Sequence, residues 1–343
     1  MPEYTTALQR TGIEVLYAPY ATTVDQHLKE CGDRYDLAFL FRPGVVERHL
    51  KAIRKLCPQA KVLFYTVDLH FLRMSREAEL QSDKVKQKAA DEMKQLELAA
   101  IRAVDTSIVH STAELEILRL SLPDAKLHVL PLIMDTKGTS KTFVERRDIV
   151  FIGGYQHTPN VDAVQYFVAE IMPLLRKQLP GVRFYVVGSK PPAEIQALAS
   201  EDVIITDFVE DLTPLLDKMR ISVAPLRYGA GIKGKIGTAM TVGLPVVATS
   251  LAAEGMSLTD GENISVADGP EAFANAVAKI YQDEVLWNRI SQNGLAFADK
   301  AWGAEAAWGI LAAILGDLTI NVKRSAHQLS LYSEHQVTPP ATS

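Results

Sequence analysis

Cysteine is nearly absent: 343 residues contain two, Cys31 and Cys57, with no CxxC spacing and no histidine cluster beside either. That excludes a disulfide framework and a zinc site of the usual spacing, and makes a reducing compartment, the cytoplasm, the simplest setting. Long apolar runs are missing too. No stretch approaches the roughly 20 residues that span a bilayer, and the opening MPEYTTALQR has no signal-peptide core. A crossing is therefore not expected, while peripheral contact with the inner face of a membrane stays open. Positive charge is also in short supply. Lys and Arg number 36 against 41 Asp and Glu, a net −5, so nucleic acid is not the expected partner, although a local basic loop can still hold a small anion.

What is present is alternation. Short β-branched or apolar runs alternate with longer helical stretches, the pattern of parallel sheets with crossover helices, and 343 residues exceed the roughly 250–300 at which single cores stop growing. The first half reads as strands at Ile13 to Tyr17, Asp36 to Phe41, Lys61 to Tyr65, Ser107 to His110 and Leu127 to Leu130. Helices are expected at Val46 to Leu56 and Ala113 to Leu120, and Leu72 to Ala103 reads as a solvated helix or helix pair. The segment PLIMDTKGTSKTFVERR, from Pro131 to Arg147, loses periodicity and reads as a linker.

The second half reads as strands at Asp148 to Ile152, Arg183 to Val187, Val203 to Thr206, Ile221 to Pro225, Pro245 to Thr249 and Ile264 to Val266. Ala163, Phe167, Ile171 and Leu175 mark one helix face, and further helices are expected at Leu212 to Met219, Lys235 to Val242, Pro270 to Gln282 and Glu284 to Ala298, then in GAEAAWGILAAIL. These divisions give a first domain over 1–135, a linker over 136–147, a second domain over 148–300, a C-terminal helix over 301–321 and a tail over 322–343 too poor in apolar residues to order itself.

Three segments could carry chemistry. In PLRYGAGIKGKIGTAM a strand ends at Pro225, Gly229, Gly231 and Gly234 come next, and a helix begins near Lys235. Glycines let backbone N–H groups approach an anion, and Lys233 and Lys235 add charge suited to a diphosphate. Read alone, the loop fits a solvated glycine turn equally well, since neither Walker spacing nor GxGxxG is present. GLPVVATSLAAEGM then delivers Glu254 and Gly255 to the carboxyl edge of a sheet, where ligands of open α/β folds bind. In FIGGYQHTPNVDAV a strand runs into Gly153 and Gly154, with Pro159 and Asn160 as helix starts.

These pieces, with VVG at Val186 to Gly188 and TDFVEDLTPLL, resemble in order the donor domain of the retaining family 4 glycosyltransferases, glycosyltransferase group 1. RYDLAFLFRP, KVLFYTVDLHFLR and VHSTAE resemble the acceptor domain. The resemblance implies an α/β GT-B fold, two Rossmann-like domains facing each other across a cleft. It also implies an enzyme moving a sugar, with retention, from a nucleotide-diphosphate sugar to a glycan, lipid-linked or other hydroxyl acceptor in polysaccharide synthesis. Lys233 and Lys235 would hold the diphosphate, assisted by Gly231. Glu254 and Gly255 would meet ribose or sugar, Phe208 and Val209 the base, and Gly153 and Gly154 the transferring sugar. His70, with Asp68 beside it, is the preferred catalytic candidate, while Arg73 and Arg76 read first as ordinary helix-surface arginines, with contact to an anionic acceptor or a phosphate as the alternative. No cofactor and no metal is implied, the donor being a substrate.

Two departures stand out. The carboxylate that family members place on a ribose hydroxyl is Thr238 here, and the chain opens in a region that resembles the acceptor domain beyond the family's first βαβ element. The second reading is therefore a non-catalytic relative that binds a nucleotide sugar or a partner enzyme. A nucleotide-sugar epimerase ranks last, for lack of cleft acid–base residues.

Overall fold

The structure, a computed structural model, describes residues 2–139 and 141–322; the expected disordered tail lies almost wholly outside the described residues. The first half forms a four-stranded parallel sheet from β1 (Leu37–Phe41), β2 (Lys61–Tyr65), β3 (Thr106–Val109) and β4 (Leu127–Val129), paired in chain order. Parallel pairing sets Phe41 beside Tyr65, and Tyr65 beside Ile108. Alternate residues then face opposite sides: Leu40, Val62, Phe64 and Val109 enter the main core of this half, and Leu63 and Ile108 face the other way.

The expected strand at Ile13 to Tyr17 is a correction. These residues are irregular, and Ile13, Leu16 and Tyr17 stay exposed. Alternating apolar residues make a strand only where a neighbour offers a ladder of hydrogen bonds, and none lies beside them among the described residues. The charged stretch is a helix pair, His70–Gln81 and Lys84–Ala103, split where Ser82 turns left-handed at φ 53 and Asp83 caps the second helix.

The second half forms a six-stranded parallel sheet from β5 (Arg147–Ile152), β6 (Phe184–Val187), β7 (Val203–Thr206), β8 (Met219–Ala224), β9 (Val246–Ala248) and β10 (Ser265–Val266), in the order β10-β9-β8-β5-β6-β7. Its central strands β5, β8 and β9 are buried on both faces and read as continuous apolar runs for that reason. The Ala163, Phe167, Ile171, Leu175 series is wholly buried. A strict spacing of four overshoots an α-turn by about 40° per step, and the π-helical turn Phe167–Ile171 between Thr158–Tyr166 and Met172–Gln178 takes up the drift. The expected helix at Leu212 to Met219 shrinks to Thr213–Leu216, because Met219 already belongs to β8.

The chain passes between the halves at two adjacent places. Residues 130–139 lead out of the first sheet, with the N–H of Met134 donating to the Trp302 carbonyl at 2.8 Å. The helix Ala304–Asp317 returns, and its Ile314, with Leu318 just beyond, packs on Leu63, Ile108 and Leu130.

Candidate functional site

The strand order of the second sheet reverses between β5 and β8: β6 and β7 lie outward of β5 on one side, β9 and β10 outward of β8 on the other. Loops diverge there at the carboxyl ends, leaving the crevice in which open α/β sheets take their ligands. Gly153 and Gly154 leave β5 on one wall; the loop from Pro225 to Lys233 leaves β8 on the other.

Lys233 and Lys235 sit in that crevice with no direct ion pair to either ammonium among the described residues, although the charges of Glu254, Glu114 and Asp68 act on Lys233 from further off. Lys233 is 6% exposed and donates to the carbonyls of Ala230 (3.1 Å) and Gly231 (2.5 Å); burial pushes its ammonium down to about 8. Lys235 donates to Oδ1 of Asn160 at 2.6 Å and lies 4.9 Å from the Phe151 ring centre. Burial, with the Lys233 charge adding to it, pushes this ammonium down to about 7. Asn160 in turn donates from Nδ2 to the Gly154 carbonyl at 2.8 Å. A Cβ on Gly153 would come within 2.7 Å of Asn160 Cγ, so Asn160 joins the two walls only because residue 153 has no side chain. Thr238 is half-buried a turn further along the Gly234–Met240 helix. Phe208, 67% exposed, stands just past the end of β7 beside the partly buried Val209.

The first half closes directly onto this cradle. Gly231, at φ +68, faces Asp68, whose Cβ would be 3.0 Å from a Cβ added there; Gly255, at φ +71, faces Ser111 at 2.5 Å on the same measure. Both positions need glycine twice over, for the left-handed backbone and for the close approach. Arg76 donates from Nη1 to Glu254 Oε2 and from Nη2 to Oε1, both at 2.8 Å, and from Nη1 to the Gly229 carbonyl at 2.8 Å. Arg73 donates from Nε to Asp68 at 3.1 Å. The expectation that these arginines are ordinary surface residues is corrected: each is tied to a carboxylate of the cleft.

After β2 the chain turns through Val67 at φ 71, a costly conformation for a β-branched residue, and this turn delivers Asp68 and His70. The Nδ1 of His70 lies 3.0 Å from Glu97 Oε1 and 3.5 Å from Asp68 Oδ1. Glu97 is fully buried. It also accepts the backbone N–H groups of His70 (3.0 Å) and Phe71 (2.9 Å), the first donors of their helix. The hydrogen bond to Glu97, with the Asp68 charge, raises the imidazole above its ordinary value although burial opposes this. Glu114, 2% exposed, accepts from the N–H groups of Leu69 (3.3 Å) and His110 (3.1 Å) and the hydroxyl of Ser111 (3.3 Å); burial raises its carboxyl to about 7. His157, on the β5 wall, is driven down to about 4 by burial, with Arg73, Lys235 and Lys233 adding to it.

The structure thus brings Asp68, His70, Gly231, Lys233, Glu254 and Gly255 to one interface, and Lys235, Gly153 and Gly154 to another joined through Asn160. Thr238, Phe208 and Val209 stand apart from both hydrogen-bond sets. Reading the sequence missed Glu97, Glu114 and His157. A signal existed for Glu97: it interrupts the apolar stripe Ala90, Met93, Ala100 and Ile101 on its helix. Among the described residues no group of three or more His, Cys, Asp or Glu could hold a metal ion, and no helix is long and apolar enough to cross a membrane.

Comparison with known proteins identifies the fold. The architecture is the GT-B fold of glycosyltransferases. A sucrose-phosphate synthase from Thermosynechococcus elongatus superposes with a TM-score of 0.68, at 16% identity over 90% of this chain and 83% of that one. HepE from Anabaena, solved with UDP and glucose, gives 0.69 at 15% identity over 92% and 89%, and TarM gives 0.69 at 15% over 85% of this chain but 57% of its own. Residues 146–283 match the family described as Glycosyl transferases group 1. A curated relative, a 44.6 kDa protein in the cps region of Klebsiella pneumoniae, is 22% identical over 167 residues, which span 46% of this chain and 43% of that protein.

Proposed function

We propose that the protein transfers a sugar from a nucleoside-diphosphate sugar to a hydroxyl acceptor, with retention of anomeric configuration. The observation that carries this reading is the pair of enclosed ammonium groups, Lys233 and Lys235, at the point where strand order reverses. Enclosing cationic groups without a direct ion pair is costly, and a diphosphate at this crevice would relieve the cost. The same charges stabilise the departing diphosphate and make a metal unnecessary. In this reading Gly231 and Gly255 bring the first half against the bound donor, Phe208 and Val209 meet the base, and Glu254 meets the ribose or sugar once it leaves Arg76. His70 and Asp68 contact the sugar under transfer, and the leaving diphosphate takes the acceptor proton.

Several similarities point the same way. HepE was solved with UDP and glucose, and pneumococcal GtfA, an O-GlcNAc transferase that superposes with a TM-score of 0.62 at 13% identity, with UDP and GlcNAc. We infer a glycan or lipid-linked acceptor in polysaccharide assembly on the cytoplasmic side, at the inner membrane face if the acceptor is lipid-linked. The cps-region relative supports the polysaccharide setting. The test is thermal-shift screening against UDP, GDP, ADP and their sugars, repeated on Lys235→Ala. Stabilisation lost in the variant supports the reading, and the absence of any nucleotide response sinks it.

A second reading, a non-catalytic nucleotide-sugar or partner-binding module, is favoured by Thr238 and by the engagement of both Glu254 oxygens with Arg76. Nucleotide affinity without turnover, unchanged in Thr238→Glu, would decide for it.

A further inference from the structure

The fully buried carboxylate of Glu97 stands inside an otherwise apolar helix stripe, where an unsatisfied polar group is strongly destabilising. Satisfying two N–H groups at a helix start does not require this. A serine or aspartate at the position before the helix does the same job without burial, and here that position is Leu69. The ring bond is what a local cap could not supply. Oε1 of Glu97 meets Nδ1 of His70 at 3.0 Å while also accepting the backbone N–H of His70, so the imidazole is held to the same carboxylate that fixes its main chain. Asp68 lies on the same ring nitrogen at 3.5 Å, and Arg73 is the cation facing it through Asp68. Among the described residues Nε2 makes no hydrogen bond, and the side chain is 19% exposed.

We propose that Glu97 is a positioning residue for His70: it holds Nδ1–H, fixes the ring orientation and presents Nε2–H to an oxygen of the bound sugar donor. The proposal rests on the glycosyl-transfer reading for the identity of that oxygen, and on geometry for the pairing. A carboxylate that accepts from Nδ1–H fixes the ring orientation and favours the imidazolium, the form in which Nε2 also carries a proton to donate.

The experiment is a nitrogen-15 NMR titration of the His70 imidazole in the full chain, alongside turnover of the best donor. Wild type should show a protected Nδ1–H and a His70 midpoint above that of an exposed histidine. In Glu97→Gln the midpoint should fall by about one pH unit, kcat by about tenfold or more, and the donor KM should stay within about twofold. Adding Glu97→Gln to His70→Ala should change kcat no further. A wild-type His70 with an ordinary midpoint and an unprotected Nδ1 overturns the proposal without any variant, as does a Glu97→Gln effect that persists undiminished in the His70→Ala background. The expected spectra with no turnover on any donor would uphold the pairing and sink the transfer reading instead.

Discussion

Arg76 and Glu254, 178 residues apart in sequence, meet in a two-pronged ion pair that joins the two halves of the molecule. Both carboxylate oxygens are used, and a guanidinium fork fits a carboxylate better in this arrangement than any single contact. Glu254 is also the residue proposed to meet the donor ribose or sugar, and in that reading donor arrival and closure of the halves compete for one carboxylate.

Arg76→Ala should therefore loosen the nucleotide-free protein. Small-angle scattering should give a larger radius of gyration than wild type, and UDP should associate faster. The partly exposed pair contributes about 1 kcal/mol or less to stability. Identical scattering curves and an unchanged association rate would refute the competition.

Lys235→Met should stabilise the nucleotide-free protein by about 1–3 kcal/mol, because it removes an enclosed charge, and, on the proposed reading, abolish diphosphate binding. The pH dependence has a definite sign. The ammonium titrates at 10.5 when exposed and about 7 when folded, so the unfolded chain holds the extra proton between those values. Wild-type stability gains from this group as pH rises through that window, and that part of the slope should vanish in the variant. A melting temperature lower than wild type at pH 7 would contradict the account.

Glu114→Gln probes the opposite case. Its carboxyl titrates at 4.5 when exposed and about 7 when folded, so the native state holds the proton more tightly and wild-type stability falls as pH rises from about 4.5 to 7. The variant should cost about 1 kcal/mol at pH 5, where one of three accepted hydrogen bonds is compromised, and should close the gap towards pH 8. Denaturant melts across that range check the crossing, and parallel curves would rule it out.

Thr238→Glu should tighten donor binding about fivefold, the worth of a charge-assisted over a neutral hydrogen bond to a ribose hydroxyl. Calorimetry with the donor and with its 2′,3′-dideoxy analogue distinguishes this from general charge effects. Equal gains for both would place the new carboxylate elsewhere.

The strands were legible because central strands of parallel sheets are buried on both faces, so segments such as VLFY and IVFI stand out as apolar runs whatever surrounds them. Ile13 to Tyr17 looked the same locally and failed for want of a neighbour, which no local pattern records. The glycine loop and its lysines stood out as a candidate anion site, since glycine spacing and charge lie within one segment. The partners that give the site its chemistry were not. Asn160 lies 75 residues from Lys235, and Arg76 lies further still from Glu254. Glu97 sat within a run of charged residues, where a carboxylate reads as solvated unless the helix faces are drawn out.

The Met134 to Trp302 hydrogen bond pins two chain crossings side by side. Two adjacent pivots leave one easy rotation and resist twist and slide, as with a door hung on a pair of hinges. Any separation of the halves would have to swing about that shared edge, parting Gly231 from Asp68 and Arg76 from Glu254 together. A nick within residues 135–139 would remove one pivot, leaving the sheets tethered through the Ala304–Asp317 helix but free to close askew.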